Sequence, residues 1–438
     1  MSSASCSPTT PASSAVPRSP WMVEPPHVSS TSRPTTRCRV RSRARISTPD
    51  HSTPEPSLEK GSTVRTLALV SSSNRELPYF EASNGKGIAV YDYDEETGRF
   101  TFLSEKEGTD NPHFMYVDED SLVVYAVSEV WGWNEGIVTA YQLDPAAGTL
   151  RYINKQATLG SITCYVSLDT TGKYALVANY SWCAEDDDKL PDQVVATFPV
   201  RPDGGLGSPI SSYAHAGKGP EPRQQQSHAH FIQVTPDNRF VIVADLGIDQ
   251  LLVYRFDAVT GQMHPAETPS FSLAPGSGPR HFAFHPGGRF AYVINEIAST
   301  IVALEFDPVD GTFKELQVVS TLPEDYTGAN DSADLHISED GRFIYGSNRG
   351  HDSIAAFSID AETGHLSLVG HQSSLGRKPR NFALDPSGRR MVVANQDSDS
   401  LTIFDVDPIT GALTPTSDQV ETGTPLCVKF VRVAAAGS

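Results

Sequence analysis

A unit of strand, turn and strand recurs along this chain and limits it to a small set of folds. Residues 280–293 (RHFAFHPGGRFAYV) align with residues 380–393 (RNFALDPSGRRMVV). Each segment reads as a strand, a tight turn with Pro and Gly, and a second strand. Each then continues through a third strand, an Asp-Pro turn and a fourth short strand. Four antiparallel strands in a repeat of this length are typical of a β-propeller blade.

The same turn marks successive repeats and so gives the number of blades. Clear copies start at Pro236, Pro286, Glu339 and Pro386, at intervals of 50, 53 and 47 residues. Weaker copies precede them, and an insertion around residues 181–193 stretches the spacing between the two groups. Six complete blades are therefore predicted, beginning near residues 110, 160, 228, 278, 331 and 378.

The two ends of the repeat region supply a seventh blade. Residues 66–71, 87–93 and 99–105 read as three strands, and residues 425–433 offer one strand left over after the sixth complete blade. Pairing the C-terminal strand with the N-terminal three closes the ring and removes an open sheet edge. The sequence thus predicts an all-β fold, a seven-bladed β-propeller over residues 64–433, closed by the C-terminal strand.

The N-terminal segment differs in composition from the repeats. Residues 1–60 are dominated by Ser, Thr, Pro and Arg and lack apolar periodicity, so we expect a disordered tail. Residues 1–48 carry seven Arg and one acidic residue, a composition that organellar targeting segments share. The five cysteines form no CxxC pair, and no apolar run approaches the ~18 residues needed to cross a bilayer. We therefore expect a soluble, cytoplasmic protein with free thiols, monomeric or weakly homo-oligomeric.

The charge of the chain restricts its partners. The whole chain carries −19 and residues 1–48 carry +6, so the remaining residues carry −25. A domain this acidic repels the phosphate backbone of nucleic acids, which argues against nucleic-acid binding. If the ligand is a small anion, positive charge must be concentrated locally to hold it.

The repeat register places ionisable side chains at two sets of equivalent positions. Where the innermost strand of a blade begins, a packed channel should leave few polar residues, yet two Arg and two His occur among seven positions. This first ring consists of His113, Cys164, His230, Arg280, Ala333, Arg380 and Leu426. A second ring, at the end of the second strand of each blade, consists of Glu129, Tyr180, Glu296, Arg349 and Gln396. The Asn that precedes several of these residues is expected to cap a turn through its amide.

Three interpretations of these rings remain open at this point. Buried Arg–carboxylate pairs could simply join neighbouring blades. A His and Glu cluster could hold a metal ion, but the two nearby arginines would repel it, so we expect no metal. The third interpretation is a catalytic site built from His230, Arg280, Glu296 and Arg349, which come from three consecutive blades. Cys164 is expected to be a small buried residue rather than a nucleophile.

Short motifs in the register resemble one known family. They are GPRH at 278–281, NE at 295–296, ADLH at 333–336, NR at 348–349 and PR at 379–380. Together with residues 217–230, they resemble the β-propeller lactonases, a family that includes propeller-type 6-phosphogluconolactonases and fungal carboxy-cis,cis-muconate cyclases. The resemblance covers about residues 64–433 and places the family's proposed active site on His230, Arg280, Glu296 and Arg349.

The resemblance implies a hydrolase that opens a small anionic sugar lactone, most simply 6-phospho-D-glucono-1,5-lactone of the pentose phosphate pathway. Glu296 is the expected general base, with His230 as the alternative base or the acid, and no cofactor is needed. Arg280 and Arg349 would bind the anion and polarise the carbonyl. Replacing Glu296 by Gln is expected to lower turnover with little change in the thermal midpoint.

Four further residues are predicted to bind the substrate from positions in or beside the two rings. They are Arg380, Gln396, Asn295 and His228, the last on the same strand face as His230. Two alternative functions remain. One is a cyclase acting on a carboxylated muconate with the same residues. The other is a non-catalytic propeller that binds a partner, which a flat apolar top surface would favour over a narrow Arg-lined pit.

Overall fold

The computed structural model describes residues 64–182 and 193–434, in which the chain forms 28 β-strands and a single 3-10 turn over Gln396–Ser398. The strands of the first half are β1 (Val64–Ser72), β2 (Ile88–Tyr93), β3 (Phe100–Lys106), β4 (Pro112–Asp118), β5 (Val123–Ser128), β6 (Ile137–Asp144), β7 (Thr149–Ala157), β8 (Thr163–Leu168), β9 (Tyr174–Asn179), β10 (Val195–Pro199), β11 (Ser211–Tyr213), β12 (Ala229–Val234), β13 (Phe240–Asp245) and β14 (Gln250–Asp257). Those of the second half are β15 (Gln262–Ser272), β16 (Pro279–Phe284), β17 (Phe290–Asn295), β18 (Thr300–Asp307), β19 (Thr312–Ser320), β20 (Asp331–Ile337), β21 (Phe343–Arg349), β22 (Ser353–Ile359), β23 (Leu366–Ser373), β24 (Pro379–Leu384), β25 (Arg390–Asn395), β26 (Ser400–Val406), β27 (Leu413–Glu421) and β28 (Pro425–Ala434).

These strands form seven four-stranded antiparallel sheets, which confirms the predicted seven-bladed propeller. Blade 1 has the order β28-β1-β2-β3, and blades 2 to 7 each use four consecutive strands, from β4–β7 to β24–β27. The C-terminal strand pairs with β1 from Val64 opposite Ala434 to Ser72 opposite Pro425, so it closes the ring as predicted. The predicted starts of the six complete blades lie within three residues of the observed ones.

The core lies between adjacent blades. The second strand of most blades is buried on both faces, as in β5, β9, β13 and β17, whereas outer strands such as β7 are mostly exposed or half-buried. This burial explains the continuous apolar runs in the second strands and the mixed pattern of the outer ones.

Buried tyrosines connect each of several blades to its neighbour. The hydroxyls of Tyr292 and Tyr345 donate to the main-chain oxygens of Gly364 and Gly411 at 2.9 and 3.0 Å. Gly411 has φ +72°, and a Cβ there would lie 2.3 Å from Cδ1 of Phe343, so only glycine fits this turn. The Gly of the outer turn is thus required by packing against the preceding blade.

Some predictions fall on residues outside the described ranges. The disordered tail or targeting segment at residues 1–60 and most of the insertion at 181–193 belong to this group and stay predictions. Of the cysteines in the described ranges, Cys164 and Cys427 are free thiols and buried. Among the described residues, no helix has the length and apolar character needed to span a membrane.

Candidate active site

A β-bulge directs the first-ring side chains toward the propeller axis. In β12 the pairing register jumps over His230, and in β16 it jumps over Arg280. Equivalent jumps occur at His113, Cys164 and Arg380. A bulge leaves one residue unpaired in the ladder and turns its side chain, so the repeat itself delivers these groups to the centre.

The second-ring residues lie at the ends of second strands, which asparagine side chains hold in place. Glu296 directly follows β17, and Arg349 is the last residue of β21. Asn295 Nδ2 donates to Thr300 Oγ1 at 2.9 Å, and Asn348 Nδ2 donates to a main-chain oxygen at 2.8 Å. The recurring Asn therefore fixes the direction of the strand end, and with it the side chain that follows.

Glu296 is the centre of a cluster of three guanidinium groups. Its Oε2 lies 2.7 Å from Arg280 Nε and 3.0 Å from Arg349 Nη2. Its Oε1 accepts a hydrogen bond from Arg223, whose other terminal nitrogen lies 2.8 Å from Asp331 Oδ1. The side chains of Glu296 and Arg280 are buried, and that of Arg223 is 43% exposed. Both carboxylate oxygens are thus occupied by cations.

The electrostatics of this cluster favour the ionised carboxylate. Burial raises the pKa of Glu296, but the three guanidinium groups outweigh it, and the pKa lies well below its ordinary range. Burial and the neighbouring Arg349 lower the pKa of Arg280 to about 9, so its guanidinium stays protonated at neutral pH. At neutral pH the cluster holds one negative and three positive charges.

His230 is a buried, neutral histidine in the wall of the cavity. Burial, and next the charge of Arg280, hold the pKa of His230 well below its ordinary value of 6.5. Its Nδ1 is buried, and among the described residues no hydrogen bond to either ring nitrogen is formed. The ring of Tyr180 meets it edge-on, with centroids 6.1 Å apart. A neutral imidazole without a protein partner can accept a proton from water.

A second histidine holds Arg280 in position. The buried carboxylate of Asp334 lies 2.7 Å from Nδ1 of His281, so this nitrogen carries the proton and Nε2 is the acceptor. Nη1 of Arg280 lies 3.2 Å from that Nε2 and donates to Ala333 O at 2.7 Å. Asp334 also contacts His336 at 3.0 Å. The guanidinium of Arg280 is therefore fixed from two sides before any ligand binds.

A second buried carboxylate lies on the other side of the mouth. Glu129 contacts the hydroxyl of Tyr79 and Nδ1 of His113. Nε2 of His113 accepts a hydrogen bond from Arg380 Nε at 2.7 Å, and the Arg380 guanidinium lies 5.4 Å from the ring centre of Phe80. Burial and next Arg380 lower the pKa of His113 to about 4, so it is a neutral link between the acid and the arginine.

These groups surround a cavity of about 360 Å³ at one mouth of the central channel. Its aromatic lining comes from blades 1 to 3, as Tyr79, Phe80, Trp131, Tyr180 and Trp182. Its cationic lining comes from the loop that leads into blade 4 and from blades 6 and 7, as Arg223, Arg349, Lys378 and Arg380. The mouth is therefore a concave pit lined by both aromatic and charged side chains, and not the flat surface expected of a partner-binding scaffold.

The structure separates the sequence-predicted residues into three groups. Glu296, His230 and Arg349 line the cavity together with Arg380 and Gln396. Arg280 lies beneath them and lines a much smaller space at the channel axis. The remaining two, His228 and Asn295, lie outside the lining.

His228 and Asn295 support the site from behind. The His228 ring stacks on Tyr180 at 4.1 Å, and its Nδ1 lies 2.7 Å from the main-chain oxygen of Tyr180. Asn295 is buried and bonded within its own blade. Contact between either residue and a substrate stays a prediction.

Sequence reasoning missed eight lining residues, which are Tyr79, Phe80, Trp131, Ile162, Trp182, Arg223, Asp331 and Lys378. Arg223 lies within residues 217–230, which carry part of the family resemblance, so that segment was a usable signal. Lys378 lies two residues before Arg380, just outside the ring position. Trp131 and Trp182 lie in connections whose lengths vary between blades, where the repeat register gives no alignment. Loop residues of this kind are found only once the fold is known.

The described ranges contain no group of three or more His, Cys, Asp and Glu side chains arranged to hold a metal ion. The carboxylate nearest His230 is already neutralised by guanidinium groups, which would repel a divalent cation. The expectation of a reaction without metal or organic cofactor stays a prediction.

Comparison with known proteins points to one family. Residues 69–430 match the family described as "Lactonase, 7-bladed beta-propeller". The chain is 37% identical over 353 residues to a 6-phosphogluconolactonase of Bacillus subtilis, which is 80% of this chain and 96% of that protein. A crystal structure of a putative 6-phosphogluconolactonase from Bacteroides fragilis is similar with a TM-score of 0.74 and 33% identity, over 86% of this chain and 100% of that one. A periplasmic gluconolactonase of Pseudomonas aeruginosa has a TM-score of 0.77 and 33% identity, over 84% and 99% of the two chains.

Proposed function

Because the chain belongs to the seven-bladed β-propeller lactonases, which are hydrolases, we propose that its substrate is 6-phospho-D-glucono-1,5-lactone. The product would be 6-phosphogluconate, in the pentose phosphate pathway of the cytoplasm. The family relationship confirms the resemblance drawn from the short motifs. The observation that supports an anionic substrate is the concentration of cations in the cavity of a strongly acidic protein.

The charge balance of the cavity favours a ligand with at least one negative charge. Four cations and three carboxylates are among its described lining residues, and Arg280 directly beneath adds a fifth cation. A unit charge 4 Å from a cation gains about 4 kcal/mol at an effective dielectric constant of 20. Lys378 is half-buried and forms no ion pair with any described residue, so it is available to a phosphate group.

We assign the general base to His230 in this proposal, and the geometry argues against Glu296 in that role. Protonating Glu296 would break its contacts with the three guanidinium groups. His230 is neutral and has no competing hydrogen bond from a described residue. Glu296 instead orients Arg280 and Arg349.

The proposed reaction is the hydrolysis of the cyclic ester by water. His230 takes a proton from water as the oxygen attacks the lactone carbonyl carbon, and the charge that develops on the carbonyl oxygen is stabilised by Arg349. The bond between the carbonyl carbon and the ring oxygen breaks, and the ring oxygen receives the proton from His230. The new carboxylic acid loses its proton to solvent.

The test is hydrolysis of freshly prepared 6-phospho-D-glucono-1,5-lactone beside D-glucono-1,5-lactone, with the spontaneous rate subtracted. We expect kcat/KM to be higher for the phosphorylated than for the unphosphorylated lactone. Lys378→Ala should remove most of that preference. An equal or higher kcat/KM for the unphosphorylated lactone in the wild-type enzyme would show that the substrate assignment is wrong.

A further inference from the structure

Two indole rings at the cavity mouth have no role in the chemistry above. Trp131 follows β5 and Trp182 follows β9, so they come from neighbouring blades, and both line the cavity. They expose 40% and 37% of their surface, which is high for the largest apolar side chain. Exposed aromatic rings that converge on one cavity mark a ligand-binding surface.

The rings form a preorganised surface. Trp131 and Trp182 have centroids 5.5 Å apart and planes inclined by 46°, so a flat ligand can lie parallel to one indole while its edge meets the other. Trp182 is nearly parallel to His228 at 6.1 Å, and His228 is nearly parallel to Tyr180 at 4.1 Å. Tyr79 meets the other side of Trp131 edge-on at 6.2 Å. Because each ring packs against another ring, little side-chain freedom remains to be lost on binding.

The two indole rings and the cations of blades 6 and 7 come from different parts of the ring of blades. Blades 1 to 3 supply the aromatic rings, whereas the described cationic lining comes from the loop into blade 4 and from blades 6 and 7. In a closed ring of seven blades, blades 6 and 7 lie across the mouth from blades 2 and 3, which carry Trp131 and Trp182, whereas Arg380 of blade 7 lies 5.4 Å from the ring centre of Phe80 in the adjoining blade 1. A ligand that fits both sides has a ring with an apolar face and an anionic group on an arm.

We propose that Trp131 and Trp182 form a stacking platform for the sugar ring of the lactone. This inference rests on the proposed function and extends it to the part of the substrate that does not react. The face of a saturated sugar ring presents C–H groups, which are attracted to the negative face of an indole. The platform holds the ring, and Lys378 and Arg380 hold the charged arm.

Kinetics of tryptophan variants test the platform. Trp131→Ala should raise KM about tenfold, and by the same factor for the phosphorylated and the unphosphorylated lactone, because the two share the ring. Trp131→Phe keeps an aromatic face and should stay within about threefold of the wild type. Trp133→Phe is the matched control, because Trp133 lines a different depression with Lys106 and Tyr141. An unchanged KM in Trp131→Ala, with an unchanged thermal midpoint, would overturn the inference.

A binding measurement separates this inference from the proposed function. The chain has four Trp, and of the three in the described ranges two form the platform, so intrinsic fluorescence reports on it. Titration with 1,5-anhydro-D-glucitol 6-phosphate and with 1,5-anhydro-D-glucitol, which keep the six-membered ring but have no ester bond to hydrolyse, should give a saturable change in the wild type and in Trp133→Phe. The change should be lost in the Trp131→Ala, Trp182→Ala double variant. Saturable binding without hydrolysis of either lactone would support the platform and reject the proposed function. Hydrolysis that the double variant leaves unchanged would support the proposed function and reject the platform.

Discussion

Replacing Glu296 by Gln should destabilise the folded protein, because this carboxylate neutralises buried cations. The Glu296 side chain is 4% exposed, and its Oε2 lies within 3.0 Å of both Arg280 and Arg349. Removing one member of a buried ion cluster costs about 3–5 kcal/mol, since the other charges stay buried without a partner. The contact with Arg223 adds little to this value, because that side chain is 43% exposed and screened by water.

The expected change in thermal midpoint follows from the size of the propeller. Unfolding entropy is about 2.1 cal/mol/K per residue, so a domain of about 370 residues has about 0.8 kcal/mol/K. A loss of 3–5 kcal/mol then lowers the midpoint by about 4–6 °C. Differential scanning calorimetry of the wild type and of Glu296→Gln measures this shift.

Glu305→Gln provides a matched control for the loss of one carboxylate beside two cations. Glu305 contacts Arg289 at 2.9 Å and Lys314 at 3.6 Å, but at the surface, so its loss should cost less than about 1 kcal/mol. Added inorganic phosphate should restore the midpoint of Glu296→Gln more than it raises that of the wild type, because the anion replaces the missing charge. Equal midpoint shifts in the two variants would refute the argument that burial makes the Glu296 cluster different.

Three further results are expected. His230→Gln should lower kcat at least 100-fold in steady-state assays. Because the pKa of His230 is lowered, the kcat/KM of the wild-type enzyme should be maintained below pH 6.5. A fall in kcat/KM centred at pH 6.5 would contradict this assignment. Lys378→Ala should raise KM about tenfold for the phosphorylated lactone alone, and an equal rise for both lactones would exclude phosphate binding by Lys378. Burial and Arg280 lower the pKa of His281 to about 4, so the unfolded state takes up its proton first as pH falls below about 6.5. The free energy of unfolding in urea should therefore fall by up to about 2–3 kcal/mol between pH 6.5 and 4.5. This fall should be smaller in His281→Gln than in His264→Gln, the control at an exposed site.

Much of the site could be located from the sequence because a propeller repeats one geometry. Equivalent positions in successive blades occupy equivalent places around the axis, so aligning the turn at Pro286 with that at Pro386 also aligned Arg280 with Arg380. The structure places both at bulges of innermost strands. The position of a side chain along the propeller axis therefore follows from the alignment of the repeats, without detailed knowledge of the fold.

The roles of these residues did not follow from the register. The sequence led to Glu296 as the expected base and to an unchanged midpoint in Glu296→Gln, because a ring position says nothing about what surrounds a side chain. Arg223 comes from a loop before blade 4 and changes the interpretation, since it occupies the second carboxylate oxygen. Long loops have no counterpart in other blades, so their contacts cannot be aligned.

The amino-acid sequence by itself determined the number of blades, the closure by the C-terminal strand and the level at which charged groups meet the axis. All three depend on local strand and turn patterns that recur at a fixed interval. Only the tertiary structure decided which carboxylate is neutralised, that His230 has no hydrogen bond to a described residue, and where Trp131 and Trp182 converge. Those properties depend on desolvation and on distances between residues far apart in the chain, and a repeat pattern contains neither.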